Sequence, residues 1–137
     1  RSLYDLGMEA TQWPTEWLRG VLEICVLRII SRGPTYGYAI AGELTSAGLG
    51  TLKGGTLYPL LARCEQAGLV EVEWKAGESG PGRKYYRLTA LGQNELEQQA
   101  AQWLAFTQVA AAAVSGDATS TQTQAQTQAR TQTQEEK

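Results

Sequence analysis

After Gly68 the hydrophobic period of this chain changes from about 3.6 residues to about 2, so any fold it adopts must set a block of helices before a block of strands. The first helical pattern lies in "WPTEWLRGVLEICVLRIISRGPTYGY", where Thr15 is placed to cap, Glu16 falls in the first turn, and Trp17 to Ile30 is apolar on nearly every side until Gly33-Pro34 stops it. A helix apolar all round is a central one. The second, "TYGYAIAGELTSAGLG", sets Tyr36, Ile40 and Leu44 four residues apart and closes on Gly48 and Gly50. The third, "KGGTLYPLLARCEQAGL", stripes Leu57, Leu60, Leu61 and Cys64 along one side and ends at Gly68. Beyond it, Val70, Val72 and Trp74 alternate with Glu71 and Glu73, and Tyr86 and Leu88 alternate with Lys84 and Arg87. The intervening "KAGESGPG" is dense in turn formers, so the two strands pair as a hairpin.

Three helices followed by a hairpin is the order of a winged helix-turn-helix, a mostly α fold with a small β-hairpin, in which the third helix reads DNA and the hairpin is the wing. On a helical wheel Gly55, Pro59, Ala62 and Gln66 stand opposite the leucine stripe, flanked by Thr56, Tyr58 and Arg63. Small residues there let a backbone approach a second body, as a major groove requires, although an ordinary amphipathic helix would also accept them. Pro59 has to sit in or just past the first turn, since deeper in it would kink the helix. In "PGRKYYRLT" three cations and two tyrosines stand on the returning strand, so Arg83 and Lys84 are expected at the wing tip, where a phosphate backbone would pass, with Tyr86 facing inward. Cations of this kind also protect an edge strand from pairing with another chain.

The chain has 137 residues, 42% of them hydrophobic, and about 100 outside the polar C-terminal stretch remain to build one core. Its net charge of −2 is unevenly spread: residues 17 to 90 hold nine Lys and Arg against six Asp and Glu, and the remainder three against eight. The working part is therefore basic. Without a single histidine the chain lacks the commonest general base and the commonest neutral metal ligand, and "KGGT" lacks the spacing of a phosphate-binding loop, so no enzyme is expected. Cys25 and Cys64 are too few for a zinc site and fall among apolar residues, which makes them small buried hydrophobes; no metal and no cofactor are expected. No apolar run reaches the roughly 18 residues of a membrane span and "RSLYDLGMEATQWPT" has no signal-peptide order, which reads as cytoplasmic. Arg1 in place of an initiator methionine suggests that a preceding segment was removed or left out.

The stretches "TYGYAI", "KGGTLYPLLARCEQAGLVEVEW" and "GPGRKYYRLTALG", in this order and spacing, resemble the PadR family of bacterial transcriptional regulators over residues 17 to 115. The resemblance implies a dimeric winged-helix DNA-binding protein, usually a repressor, that often leaves its operator when a small molecule binds. Carried over by position, it implies DNA contacts at Lys53, Gly55, Thr56, Tyr58 and Arg63 on the third helix and its approach, and at Arg83 and Lys84 on the wing. Cys64 stands where many relatives have leucine, an exchange of one apolar residue for another.

Past the wing, Thr89 is a good cap for "TALGQNELEQQAAQWLAFTQVAAAAVSG", an alanine-rich helix ending near Gly116. Leu96, Trp103 and Ala110 repeat at seven, and Ala100, Thr107 and Val114 repeat beside them. The seam can pack on the chain's own first helix, but its length suits a second copy, and the resemblance implies that this helix is the dimerisation element. Trp103 among small neighbours leaves room for a flat aromatic ligand across the dimer axis, as in relatives that bind planar compounds beside a tryptophan; packing on the partner's first helix is the alternative. The expected organisation is an N-terminal extension at 1–16, a DNA-binding domain at 17–89, a dimerisation helix at 90–115 and a low-complexity polar tail at 116–137, read as disordered from composition. "SLYDLGMEATQW" could form a short helix on the partner's seam. The expected function is a homodimeric repressor on an inverted-repeat operator in double-stranded DNA, released by a small aromatic effector; a winged-helix module that binds protein is the alternative, and the basic excess favours DNA.

Overall fold

The computed structural model describes residues 12–77 and 80–116, so the expectations for the first eleven residues and for the Thr/Gln-rich tail lie outside the described residues. In chain order the elements are α1 (Thr15–Arg19), α2 (Leu22–Ser31), β1 (Thr35–Tyr36), α3 (Gly37–Ser46), α4 (Gly54–Gln66), β2 (Val70–Lys75), β3 (Arg83–Leu88) and α5 (Ala90–Ser115). This is a winged helix-turn-helix with a small antiparallel sheet and a long C-terminal helix. Backbone contacts divide the chain into Arg1–Gln99 and Ala100–Lys137, with the boundary inside α5.

The single helix expected from Trp17 to Ile30 is two. Gly20 caps α1, because a residue without Cβ is the weakest helix former after proline, and α2 restarts at Leu22. Pro14, not Thr15, stands at the N-cap of α1, and no side chain caps it. Trp13 fastens this end by donating its indole N–H to the Gly48 carbonyl at 2.7 Å. As its composition demands, α2 is central: Leu22, Val26, Leu27, Ile29 and Ile30 are buried and only Arg28 reaches solvent freely. Around it lie Ile40 and Leu44 of α3, Leu57, Leu60, Leu61 and Cys64 of α4, Val70 and Tyr86 of the sheet and Leu96 of α5. Each such aliphatic side chain contributes roughly 1.5–3 kcal/mol on burial.

Both helices of the helix-turn-helix end on the same three letters, Ala-Gly-Leu. In each, the glycine adopts a left-handed conformation (Gly48 φ 96°, Gly68 φ 75°), and the following leucine returns its N–H to the carbonyl five residues back, Leu49 to Leu44 at 3.0 Å and Leu69 to Cys64 at 2.9 Å. This arrangement satisfies carbonyls the helix would leave bare and turns the chain sharply. At the second stop it aims residue 70 directly into β2.

The sheet has the order β1-β3-β2, one strand more than the hairpin read from the sequence. At two residues, β1 is too short to show an alternation; it pairs Thr35 with Tyr86 and Tyr36 with Tyr85. Between β2 and β3 the register is Val70 to Leu88, Val72 to Tyr86 and Trp74 to Lys84. Thr89 caps α5 as expected: its hydroxyl accepts the Gly92 N–H at 3.0 Å and donates to the Gly68 carbonyl at 2.6 Å, tying the start of α5 to the end of α4.

Candidate nucleic-acid interface

The start of α4 is built to be approached. Lys53 is its N-cap and makes no side-chain cap bond, while Gly54, Gly55 and Thr56 form the first turn and expose their backbone. No atom lies within 4 Å of where a Cβ on Gly55 would stand, so nothing in the fold requires glycine there. Pro59 follows in the second turn without breaking the helix. With Leu57, Leu60, Leu61 and Cys64 committed to the core, the remaining face is open along its length.

The structure divides the expected contact residues between two grooves that flank α4. On the side toward α1, Lys53, Gly55, Thr56 and Arg63 line a groove of about 820 Å³ together with Arg19, Pro59, Leu18 and Leu22. On the side toward the hairpin, Tyr58, Arg83 and Lys84 line a second, of about 460 Å³, together with Tyr38, Ala62 and Trp74. The lining of neither includes a carboxylate residue. Among the described residues, no ion pair joins Arg19, Lys53, Arg63 or Arg83 to an acid. Uncompensated cations on both sides of an open helix favour an anionic partner.

The wing is arranged differently from the expectation. Strand alternation places Lys84 on the inward face with Tyr86 and Leu88, not opposite them, because residues two apart share a face. Lys84 therefore does not emerge with Arg83: it is half-buried, 5.7 Å from the centre of the Tyr86 ring and 3.5 Å from the Glu65 carboxylate of α4. Arg83 takes the outward face and stacks over Tyr36 at 4.5 Å; Lys75, its cross-strand neighbour, lies over Tyr85 at 4.7 Å, and the two tyrosines meet at 5.4 Å. Tyr86 faces inward as expected, and burial pushes its phenol up against the opposing pull of Lys84. Trp74 departs from the expected half-buried strand. It is 70% exposed, since the hairpin has outrun the core by the Trp74–Lys84 pair.

Tyr58 is about half exposed, yet its ring is held: a Cβ added to Gly37 would meet it at 2.8 Å, so "TYGY" and "TLYP" fit together through that glycine. Sequence reasoning missed Arg19, Tyr38 and Trp74. The signal for Tyr38 was present, since it stands off the stripe of Ile40 and Leu44, whereas Arg19 belonged to a helix read as wholly central.

Along α5 the expected dimerisation residues separate. Leu96 is 0% exposed and lies in the core of its own chain, so it has no surface to offer a second copy; a heptad spacing does not distinguish the two roles. Ala100, Trp103, Thr107 and Ala110 are half-buried and Val114 is 89% exposed. Leu104 and Phe106 flank this stripe, both more than half exposed, and Phe106 contacts Trp103 at 5.5 Å between ring centres. Burial and the nearby Glu23 carboxylate push the Cys64 thiol up to about 11, against the pull of Arg63, which suits the inert apolar role read from the sequence. No helix among the described residues is long and apolar enough to cross a membrane.

Comparison with known proteins agrees with this architecture. A PadR-like transcriptional regulator from Bacillus cereus is 36% identical, with 72% of this chain and 96% of that one aligned at a TM-score of 0.65. A PadR family transcriptional regulator from Eggerthella lenta is 38% identical, with 73% and 87% aligned at 0.66. An uncharacterized protein of Lysinibacillus sphaericus is 33% identical over 88 residues, which is 63% of this chain and 81% of that protein. Residues 26–98 match the transcriptional regulator PadR-like family, and that span contains α4, all three strands and the buried start of α5. By this match the chain belongs to the PadR-like family and is a DNA-binding transcriptional regulator, not an enzyme.

Proposed function

We propose that the protein is a cytoplasmic, homodimeric repressor that binds an inverted-repeat operator in double-stranded DNA and is released by a planar aromatic ligand. The observation that carries the DNA part is the pair of cation-lined grooves along α4, which bring Lys53, Gly55, Thr56 and Arg63 to one side and Tyr58, Arg83 and Lys84 to the other. Exposed Leu104, Phe106 and Val114 around the stripe of Ala100, Trp103, Thr107 and Ala110 support pairing through α5, because a soluble chain rarely leaves such a strip bare. Trp103, half-buried beside Phe106, supplies the aromatic wall for the ligand.

Selection of genomic fragments by the purified protein tests the DNA reading; the expected product is a palindromic site with half-sites about one DNA turn, ~34 Å, or a multiple of it apart. Release requires the ligand to bind the DNA-free state more tightly than the bound one. Planar aromatic compounds titrated against tryptophan fluorescence should therefore give a response that Trp103→Ala abolishes, and an undiminished response moves the sensor elsewhere. A second reading, a winged-helix module for protein, is favoured by the exposure of Tyr38 and Trp74. A mobility shift on the selected fragments separates the two.

A further inference from the structure

Tyr38 and Trp74 are 82% and 70% exposed, and among the described residues neither makes a ring–ring or cation–π contact. Single exposed aromatics are common, but these two stand on different elements, α3 and β2, and line the same groove. Tyr58 forms its α4 side and Lys84 and Arg83 its hairpin side, with no carboxylate residue in the lining. Nothing in the fold calls for aromatic rings at these positions, since the core lies beneath Val72 and Tyr86 and ends before Trp74.

We propose that this groove seats one sugar–phosphate strand of a DNA duplex, with Trp74 and Tyr38 packing on deoxyribose and Lys84 pairing with a phosphate. The proposal rests on the DNA-binding reading and deepens it. A strand of duplex presents alternating apolar sugar edges and charged phosphates, and the groove presents rings beside cations. Base faces are not available, because they are stacked within the duplex. With α4 in the major groove and the hairpin beside it, the strand between the two elements has to run through this groove. The ion pair of Lys84 with Glu65 does not prevent this: at 3.5 Å, with both side chains about 40% exposed, it is a surface pair that a phosphate can replace. A protein partner would also use exposed rings, but Arg83 without an ion pair among the described residues and Lys84 in a replaceable surface pair fit a polyanion better.

The test is binding of labelled operator and unrelated duplexes across a salt series by the wild type, Trp74→Ala, Trp74→Phe and Tyr38→Ala. Trp74→Ala should weaken both duplexes about tenfold and leave the salt slope unchanged, since an indole releases no counterions. Tyr38→Ala should act in the same direction, and Trp74→Phe should retain most of the affinity. Wild-type thermal unfolding of each variant excludes a folding defect, which the exposure of both side chains makes the expected result. If the alanine variants bind both duplexes like the wild type, the proposal fails while the DNA reading stands, and the rings belong to a protein partner. A loss confined to the operator also overturns it, because the rings would then read bases. If the wild type binds no duplex, the DNA reading fails and takes this proposal with it.

Discussion

Gly92 is the position at which the least chemistry has the largest structural effect. A Cβ there would run into the carbonyl oxygen of Leu69 and the side chain of Leu88, so glycine is required for α5 to cross the end of α4 at contact distance. Gly92→Ala should cost about 2 kcal/mol or more, by forcing backbone apart where overpacking cannot be relieved by a rotamer change. A lowered urea midpoint with an unchanged m-value is the expected readout. Cys64 offers a pH-dependent check on the core. Its thiol rises from 9.0 to about 11 on folding, so below about pH 9 it is neutral in both states and its contribution to stability is fully present. Between about pH 9 and about 11 it ionises only in the unfolded chain, and stability is lost as pH rises through that window. Cys64→Ala should be less stable at neutral pH and show a smaller decline across it.

At the scale of elements, α4 and the wing divide the work. Lys84 sits low on the inward face of β3, 3.5 Å from Glu65, and on the proposed reading a phosphate in the groove takes the place of that carboxylate. Lys84→Ala should weaken binding to every sequence and lower the salt slope by about 1, the signature of one lost phosphate contact. Thr56, in the first turn of α4 and open to solvent, should instead change the choice among sequences when replaced, because the third helix of a winged helix-turn-helix is the element expected at base edges. A wing variant that altered specificity with an unchanged slope would reverse the two roles. The start of α5, by contrast, belongs to the core. Leu96→Ala should destabilise the protomer by about 2–5 kcal/mol through a cavity in the core.

For the whole molecule the decisive quantity is the apolar strip on the second half of α5. Replacing Leu104 and Phe106 together with glutamate should leave the thermal unfolding of residues 1–99 intact and convert a dimer into a monomer by sedimentation at micromolar concentration, since both side chains are more than half exposed in the protomer. Loss of dimer should weaken operator binding far more than binding to a single half-site, because linking two modules raises the effective concentration of the second. A wild-type protein that sediments as a monomer would remove the two-fold reading together with the inverted repeat.

Much of this architecture is legible in the residue pattern, for local reasons. The helix stops at Gly48 and Gly68, the cap at Thr89 and the change of period after Gly68 depend on backbone geometry within a few residues, and short-range steric rules determine them. The stripe of Leu57, Leu60, Leu61 and Cys64 is equally local, since one face of one helix reports it. Other features depend on distances the pattern does not contain. Two residues of β1 form a strand only because β3 runs alongside them, and α1 ends at Gly20 before α2 restarts at Leu22. Leu96 and Val114 look alike in a heptad, yet one is wholly buried in the core and the other is bare, which burial alone distinguishes. Lys84 reads as a free cation until the fold brings Glu65 to 3.5 Å, and Tyr38 and Trp74 become neighbours of one groove only when α3 and the hairpin both pack beside α4. Alternation and spacing set which way a side chain leaves its own element. What it meets there is set by packing between elements far apart in the chain.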